Sequence, residues 1–328
     1  METKGNVLIL GATGGLGGEV TRRLIQEKWS VRALKRGLPA STQNDGIQWV
    51  TGDALDAQQV ATAAAGCSVI VHAVNPPGYR NWKNLVLPML RNTINAAEQN
   101  GALIVLPGSV YNYGPDAFPL LREDASQMPL TKKGAIRVQM EKDLLAYSQR
   151  GGRVLIVRTG DFFGPQAGNN WFSQGLIKPG KRPDVINNPG SPGIGHQWAY
   201  LPDIAETIAA LLARRTELEP FACFHMQGHW DHDGTDMVTA IQRVTASDGG
   251  VAKIQPFPWW FIYMAALFNV TLRELLEMRY LWRQPVRLHN AKLVKFLGAE
   301  PHTPLDEAVH MTLRGLACIG DKPSEVGA

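Results

Sequence analysis

The chain of 328 residues is long enough for one large α/β domain with an appendage, or for two compact domains. With 45% hydrophobic and 19% charged residues it has the composition of a globular chain, which excludes a disordered one. A formal charge of +4, its basic residues spread along the chain, leaves no nucleic-acid footprint, and the three distant cysteines Cys67, Cys223 and Cys318 exclude a disulfide framework and fit a reducing, cytoplasmic setting.

The first apolar run, Val7 to Leu10, predicts a strand, and an apolar helix follows from Val20 and Leu24 onward. Between them Gly11, Gly14 and Gly17 form Gly-x-x-Gly-x-x-Gly. A turn off a strand needs glycine to bend tightly, to let backbone approach a diphosphate and to pack the helix on the sheet. The amides of this turn, with Thr13 and Leu16 among its residues, are therefore expected to hold a dinucleotide diphosphate, aided by the helix dipole.

Val31 to Leu34 predicts the second strand, which ends on Lys35 and Arg36. An acidic residue there would suit the ribose hydroxyls of NAD. Two cations suit a 2′-phosphate, so NADP is expected over NAD, against the plainer reading of a solvated basic strand end. Ile47 to Val50 predicts the third strand. It leads to Gly52-Asp-Ala-Leu-Asp56, where Asp53 either accepts from the adenine amino group or caps the helix that begins near Asp56. Val69 to Val74, Ile104 to Leu106 and Val154 to Val157 complete the strand candidates, with Ala73 at the end of the fourth assigned to the cofactor site. Runs apolar throughout suit central parallel strands covered on both faces. Leu87, Leu90, Ile94 and Ala97 recur at helical spacing, as do Ile204, Ile208, Leu211 and Leu212. The alternation predicts a Rossmann-like, doubly wound parallel sheet over residues 1–165, to which strands near 196–228 return. Glycine and proline crowd residues 164–195 and aromatics crowd 257–282, so a smaller, mainly substrate-binding region is expected over 166–322.

Together these segments resemble the extended, or atypical, short-chain dehydrogenase/reductase family of NAD(P)-dependent epimerases and dehydratases. The resemblance covers nearly the whole chain. It rests on the glycine turn, Gly52-Asp-x-x-Asp56, His72-Ala-Val-Asn75, Ser109-Val-Tyr-Asn-Tyr-Gly114, Arg158-Thr-Gly-Asp-Phe-Phe-Gly-Pro165, the stretch from His196 to Ala205 and the closing Leu297-Gly-Ala-Glu-Pro301. Members typically use a serine with Tyr-x-x-x-Lys on one helix, the tyrosine moving a proton at the substrate oxygen and the lysine lowering its pKa and holding the nicotinamide ribose. Ser109 matches the serine. Whether aligned from Pro129 or from Glu141, the tyrosine position falls on Lys133 and the lysine position on Arg137.

Arg137 is expected to keep a cofactor-binding role. Lys133, with a cation one turn on, is the candidate acid or base against the commoner solvated lysine, and Tyr111 is a second candidate hydroxyl. The resemblance also implies pairing of helices beside the active-site helix, a homodimer. The expectation is an NADP(H)-dependent oxidoreductase or epimerase-like enzyme that transfers hydride on a small organic substrate. The alternative is an NADP-binding regulator without turnover.

Three further features have plainer readings. The His and Asp residues between His225 and Asp236 match no metal spacing, so no metal is expected, and Asp233 or Thr235 is read as capping the helix near Met237. His196, at a strand start, either faces substrate or is structural. The apolar stretch Pro258 to Phe268 is about half a membrane span and reads as a buried or lid helix rather than a membrane contact.

Overall fold

The computed structural model describes residues 3–37, 46–76, 81–166 and 170–320. They divide into two units, 1–160 with 202–227 and 287–301, and 161–201 with 228–286 and 302–328.

The first unit is built on seven parallel strands, β1 (Asn6–Leu10), β2 (Ser30–Lys35), β3 (Ile47–Thr51), β4 (Val69–His72), β5 (Leu103–Ser109), β6 (Arg153–Thr159) and β7 (Phe221–His225). Their spatial order is β7-β6-β5-β4-β1-β2-β3, so the direction of winding reverses between β1 and β4. This is the doubly wound sheet expected from the alternation of strands and helices. Leu8, Leu10, Ile70, Ile104, Leu106, Val154 and Ile156 pack on one face with α2 (Ala57–Ala64), α3 (Trp82–Asn100) and α4 (Lys132–Gln149). The alternate residues Ile9, Val71, Val105, Leu155 and Val157 are equally buried, so both faces are covered. Helix α1 (Gly15–Gln26) follows β1, and α5 (Leu201–Ala213) carries the Ile204, Ile208, Leu211, Leu212 stripe, fully buried.

In the second unit, His196–Tyr200 pairs parallel with Asp161–Phe163 and antiparallel with His229–Asp231, and Val185–Asn188 pairs with Lys253–Pro256. The helices are α6 (Asp236–Ser247), α7 (Trp259–Ala265), α8 (Val270–Glu277) and α10 (Leu305–Gly315), with α9 (Ala291–Leu297) in the first unit. Phe163, Phe172, Trp198, Met237, Ile241 and Val309 form its core.

Two expectations about the chain's course need correction. The unit boundary falls after Gly160, not at 165, because Asp161–Phe163 leaves the large sheet to pair with His196–Tyr200. Of the strands between 196 and 228, only Phe221–His225 returns to that sheet, alongside Arg153–Thr159.

Candidate active site

All seven strands end on one edge of the sheet, and the glycine turn lies there at the winding reversal, where open α/β sheets bind ligands. Gly11 has φ +96, and a Cβ on it would sit 2.6 Å from the Ala73 carbonyl oxygen. A Cβ on Gly17 would sit 2.1 Å from the Gly11 carbonyl oxygen. These two positions therefore need glycine to bring β1, α1 and the end of β4 together. Gly14, the N-cap of α1, is less confined, a Cβ there lying a tight 3.3 Å from the Gly11 carbonyl oxygen, and it is exposed together with Thr13, while Leu16 is buried. The first turn of α1 contains no acidic side chain, and its leading N–H groups lack intrahelical partners, which suits an anion. This cradle fits the diphosphate of a dinucleotide.

At the end of β2 the Lys35 ammonium lies 5.7 Å from the Trp49 ring centroid, and the largely exposed Arg36 reaches within 3.9 Å of a carboxylate oxygen of the half-buried Asp53. Asp53 also accepts from the Leu55 amide at 3.0 Å. It is not the cap of α2. Asp56 is, accepting from the Gln59 amide at 3.0 Å.

Ser109 closes β5 in register with Thr159 of β6. Its Oγ is buried and has no hydrogen-bond partner among the described residues. Tyr111 sits in the short turn Val110–Asn112 that follows. Helix α4 begins under this turn. Thr131 caps it by accepting from the Gly134 amide at 2.9 Å, and a Cβ on Gly134 would lie 2.2 Å from the Tyr111 carbonyl oxygen. Glycine at 134 thus lets the helix start press against the turn after Ser109. Lys133, in the same first turn, is only 4% exposed, so the solvated lysine weighed from sequence is ruled out. One turn on, Arg137 donates to the Pro107 carbonyl at 3.3 Å and its guanidinium lies 5.4 Å from the Trp82 ring centroid. It ties α4 to both β5 and α3.

Beneath Ser109 lies a buried polar network. Arg158 donates to the Ser109 carbonyl at 2.7 Å, to Glu141 at 2.8 Å and to His225 Nε2 at 3.2 Å. Glu141 also accepts from Asn112 at 2.9 Å and from Gln127 at 2.7 Å. Burial alone would lower the Arg158 pKa, but the adjacent Glu141 carboxylate reverses this and holds it above the ordinary arginine value. Burial, assisted by Arg158, pushes His225 down to about 3. Its Nε2 accepts from Arg158, which leaves the Nδ1–H to donate to the Leu121 carbonyl at 3.4 Å. Tyr113 packs over Arg158 with its ring centroid 5.0 Å away, and burial pushes its phenol up to about 12, which fits the packing role read from the strand-end pattern. The network's sequence signal was weak because polar residues at 112, 127, 141, 158 and 225 share no spacing.

In the second unit Asp231, Asp233 and Asp236 each accept from a backbone amide nearby in sequence. The helix cap there is Asp231, which accepts from the Met237 amide at 3.2 Å, not Thr235, which makes no side-chain cap, nor Asp233, which accepts from the Thr235 amide at 2.9 Å. His196 bonds Asp161 at 2.9 Å and stacks on Trp282 with centroids 3.7 Å apart. The segment after Pro258 is not a buried helix: Ile262 and Ala266 face inward while its neighbours are exposed.

Residues 11–160 match the family model described as NAD(P)H-binding. Over nearly its whole length the chain is also similar to solved structures of nucleotide-sugar enzymes. UDP-galactose 4-epimerase is 19% identical with a TM-score of 0.71, covering 95% of this chain and 98% of that one. MoeE5, solved with UDP-glucose and NAD, is 19% identical with a TM-score of 0.70 at the same coverage. The UDP-glucose 4-epimerase of Thermus thermophilus, solved with NAD, is 18% identical with a TM-score of 0.69, again over 95% and 98%. No curated protein matches the chain. The family-model match and these structures agree with the fold that the sequence resemblance implies. Among the described residues no helix is long and apolar enough to cross a membrane.

Proposed function

We propose that the chain is an NADP(H)-dependent oxidoreductase, epimerase-like in fold, that transfers hydride on a small organic substrate through an atypical active site. The observation that carries this reading is a buried Ser109 hydroxyl without a partner among the described residues, followed in the chain by a helix, α4, whose first turn holds a buried Lys133. A nicotinamide would supply or receive the hydride. The chain's own part is to hold the substrate oxygen and move its proton. Ser109 would donate to that oxygen, and the Lys133 ammonium would protonate it as the carbon is reduced, or Lys133 as the neutral amine would accept the proton on oxidation. Tyr111 is the second candidate for this transfer. Arg137, fixed by Pro107 and Trp82, would face the ribose without titrating.

Lys35 and Arg36 support NADP over NAD, since a guanidinium that is largely exposed is available to a 2′-phosphate. The free Cys67, Cys223 and Cys318 fit a reducing, cytoplasmic compartment. The deciding experiment is to mix purified protein with NADPH and a carbonyl panel and follow nicotinamide absorbance, with NADH and Arg36→Ala in parallel. Turnover that Lys133→Met abolishes, and NADPH affinity that Arg36→Ala lowers by about tenfold, are the expected results. Tight NADPH binding with no turnover on any carbonyl favours the second reading, a nucleotide-binding regulator, for which the loss of the Tyr-x-x-x-Lys pair is the specific support.

A further inference from the structure

Helix α7 and the turns that extend it to Asn269 are apolar all round, yet they lie at the surface. Trp259, Ile262 and Ala266 recur at helical spacing on the inward side, with the Trp259 indole donating to the Pro189 carbonyl at 3.0 Å. The outward side presents Trp260, Phe261, Tyr263, Met264, Leu267 and Phe268, with Trp260 73% and Phe268 91% exposed. A helix without a polar face is normally enclosed, and contiguous exposed apolar side chains of this size mark an interaction surface. From Ile254 to Leu272 the sequence holds no charged residue, whereas Lys253, Arg273 and Arg283 flank that stretch and are exposed. Arg279 stacks on Trp259 and Tyr263, at 4.8 and 5.1 Å from their ring centroids, at the base of the patch. Between residues 253 and 283 four basic residues are offset by only Glu274 and Glu277.

We infer that this ridge docks on the surface of an anionic lipid bilayer, with Trp260, Leu267 and Phe268 entering the headgroup–acyl boundary and the flanking cations on lipid phosphates. Three features favour lipid over a protein partner. Tryptophan, tyrosine and phenylalanine beside basic residues are the composition of interfacial anchors. A side chain as exposed as Phe268 needs a matching pocket on a protein partner, and a second copy would have to offer that pocket on this same face, whereas a bilayer needs none. The local charge excess is of the sign that anionic headgroups attract. The inference is independent of the reaction proposed above.

The test is flotation of the full chain with vesicles of phosphatidylcholine alone or mixed equally with phosphatidylglycerol, and with brominated lipid to quench tryptophan emission. The wild type is expected to float with the anionic vesicles, to float less with the neutral ones and to be quenched. The double variant Trp260→Ser with Phe268→Ser is expected to lose about a hundredfold in partitioning while keeping its melting temperature and NADPH affinity. Arg273→Glu with Arg283→Glu is expected to lose roughly tenfold on anionic vesicles only. Phe268→Ser alone, at the most exposed of these positions, serves if the double variant does not fold. A wild type that floats with neither vesicle and is not quenched, apolar variants that partition like the wild type, or a dimer that Trp260→Ser splits would each overturn the inference, the last by assigning the ridge to a second copy.

Discussion

The Arg158 guanidinium meets the Glu141 carboxylate at 2.8 Å, with side chains 1% and 8% exposed, and the same guanidinium holds the carbonyl of Ser109. One buried ion pair thereby joins the end of β6 to the end of β5, which carries Ser109, and to the middle of α4, which carries Lys133 and Arg137. A pair so deeply buried acts as a positional lock more than as a source of net stability, because desolvation offsets much of the Coulomb attraction.

Removing one partner leaves the other charged and unpaired. Glu141→Ala is expected to destabilise the chain by about 3–5 kcal/mol in urea denaturation. Adding Arg158→Leu to Glu141→Ala should cost far less than the two single losses summed. Additive losses would show that the pair acts through packing alone.

The glycine turn separates fold from binding. Gly17→Ala drives a methyl into the Gly11 carbonyl and is expected to cost about 1–3 kcal/mol in stability and to weaken NADPH binding. Gly14→Asp needs less room at its Cβ but places a carboxylate at the N-terminus of α1. It should lower nucleotide affinity by more than about tenfold with a much smaller change in melting temperature. Fluorescence titration with NADPH alongside thermal melts checks both.

Ser109 Oγ has no partner to lose, so Ser109→Ala should leave stability and NADPH affinity nearly unchanged. If the hydroxyl holds the substrate oxygen, kcat should fall by about a hundredfold once a substrate is in hand. Stopped-flow measurement of the hydride step separates this from slow product release.

Buried imidazoles limit stability in acid, His72 and His225 most strongly, with His229 also pushed down by burial, to about 4. Burial, with Arg137 adding to it, pushes His72 down to about 3, and burial with Arg158 does the same to His225. Each titrates near 6.5 when unfolded. Their folded pKa values are depressed, so the unfolded chain binds protons that the native chain refuses. This contribution is complete above pH 6.5 and declines as the pH falls toward about 3, at about 1.4 kcal/mol per pH unit for each imidazole. Urea midpoints between neutral pH and about pH 4 should trace that slope. His225→Gln, which keeps an acceptor for Arg158, should remove one imidazole's share of that slope.

The amino-acid sequence by itself determined the sheet and the glycine turn at its winding reversal. The runs Val7 to Leu10, Val69 to Val71 and Val154 to Val157 can only be strands buried on both faces. Glycine at 11 and 17 is demanded by backbone contacts between residues near in sequence or paired through adjacent strands. Such signals are local and periodic, so they survive in one dimension. Tertiary structure alone decided that Lys133 is buried, that Asp231 and Asp56 are the helix caps, and that Asn112, Gln127, Glu141, Arg158 and His225 form one network. It also decided that the apolar run after Pro258 faces outward. Burial and long-range hydrogen bonding depend on which distant segments pack together, and no spacing along the chain encodes that.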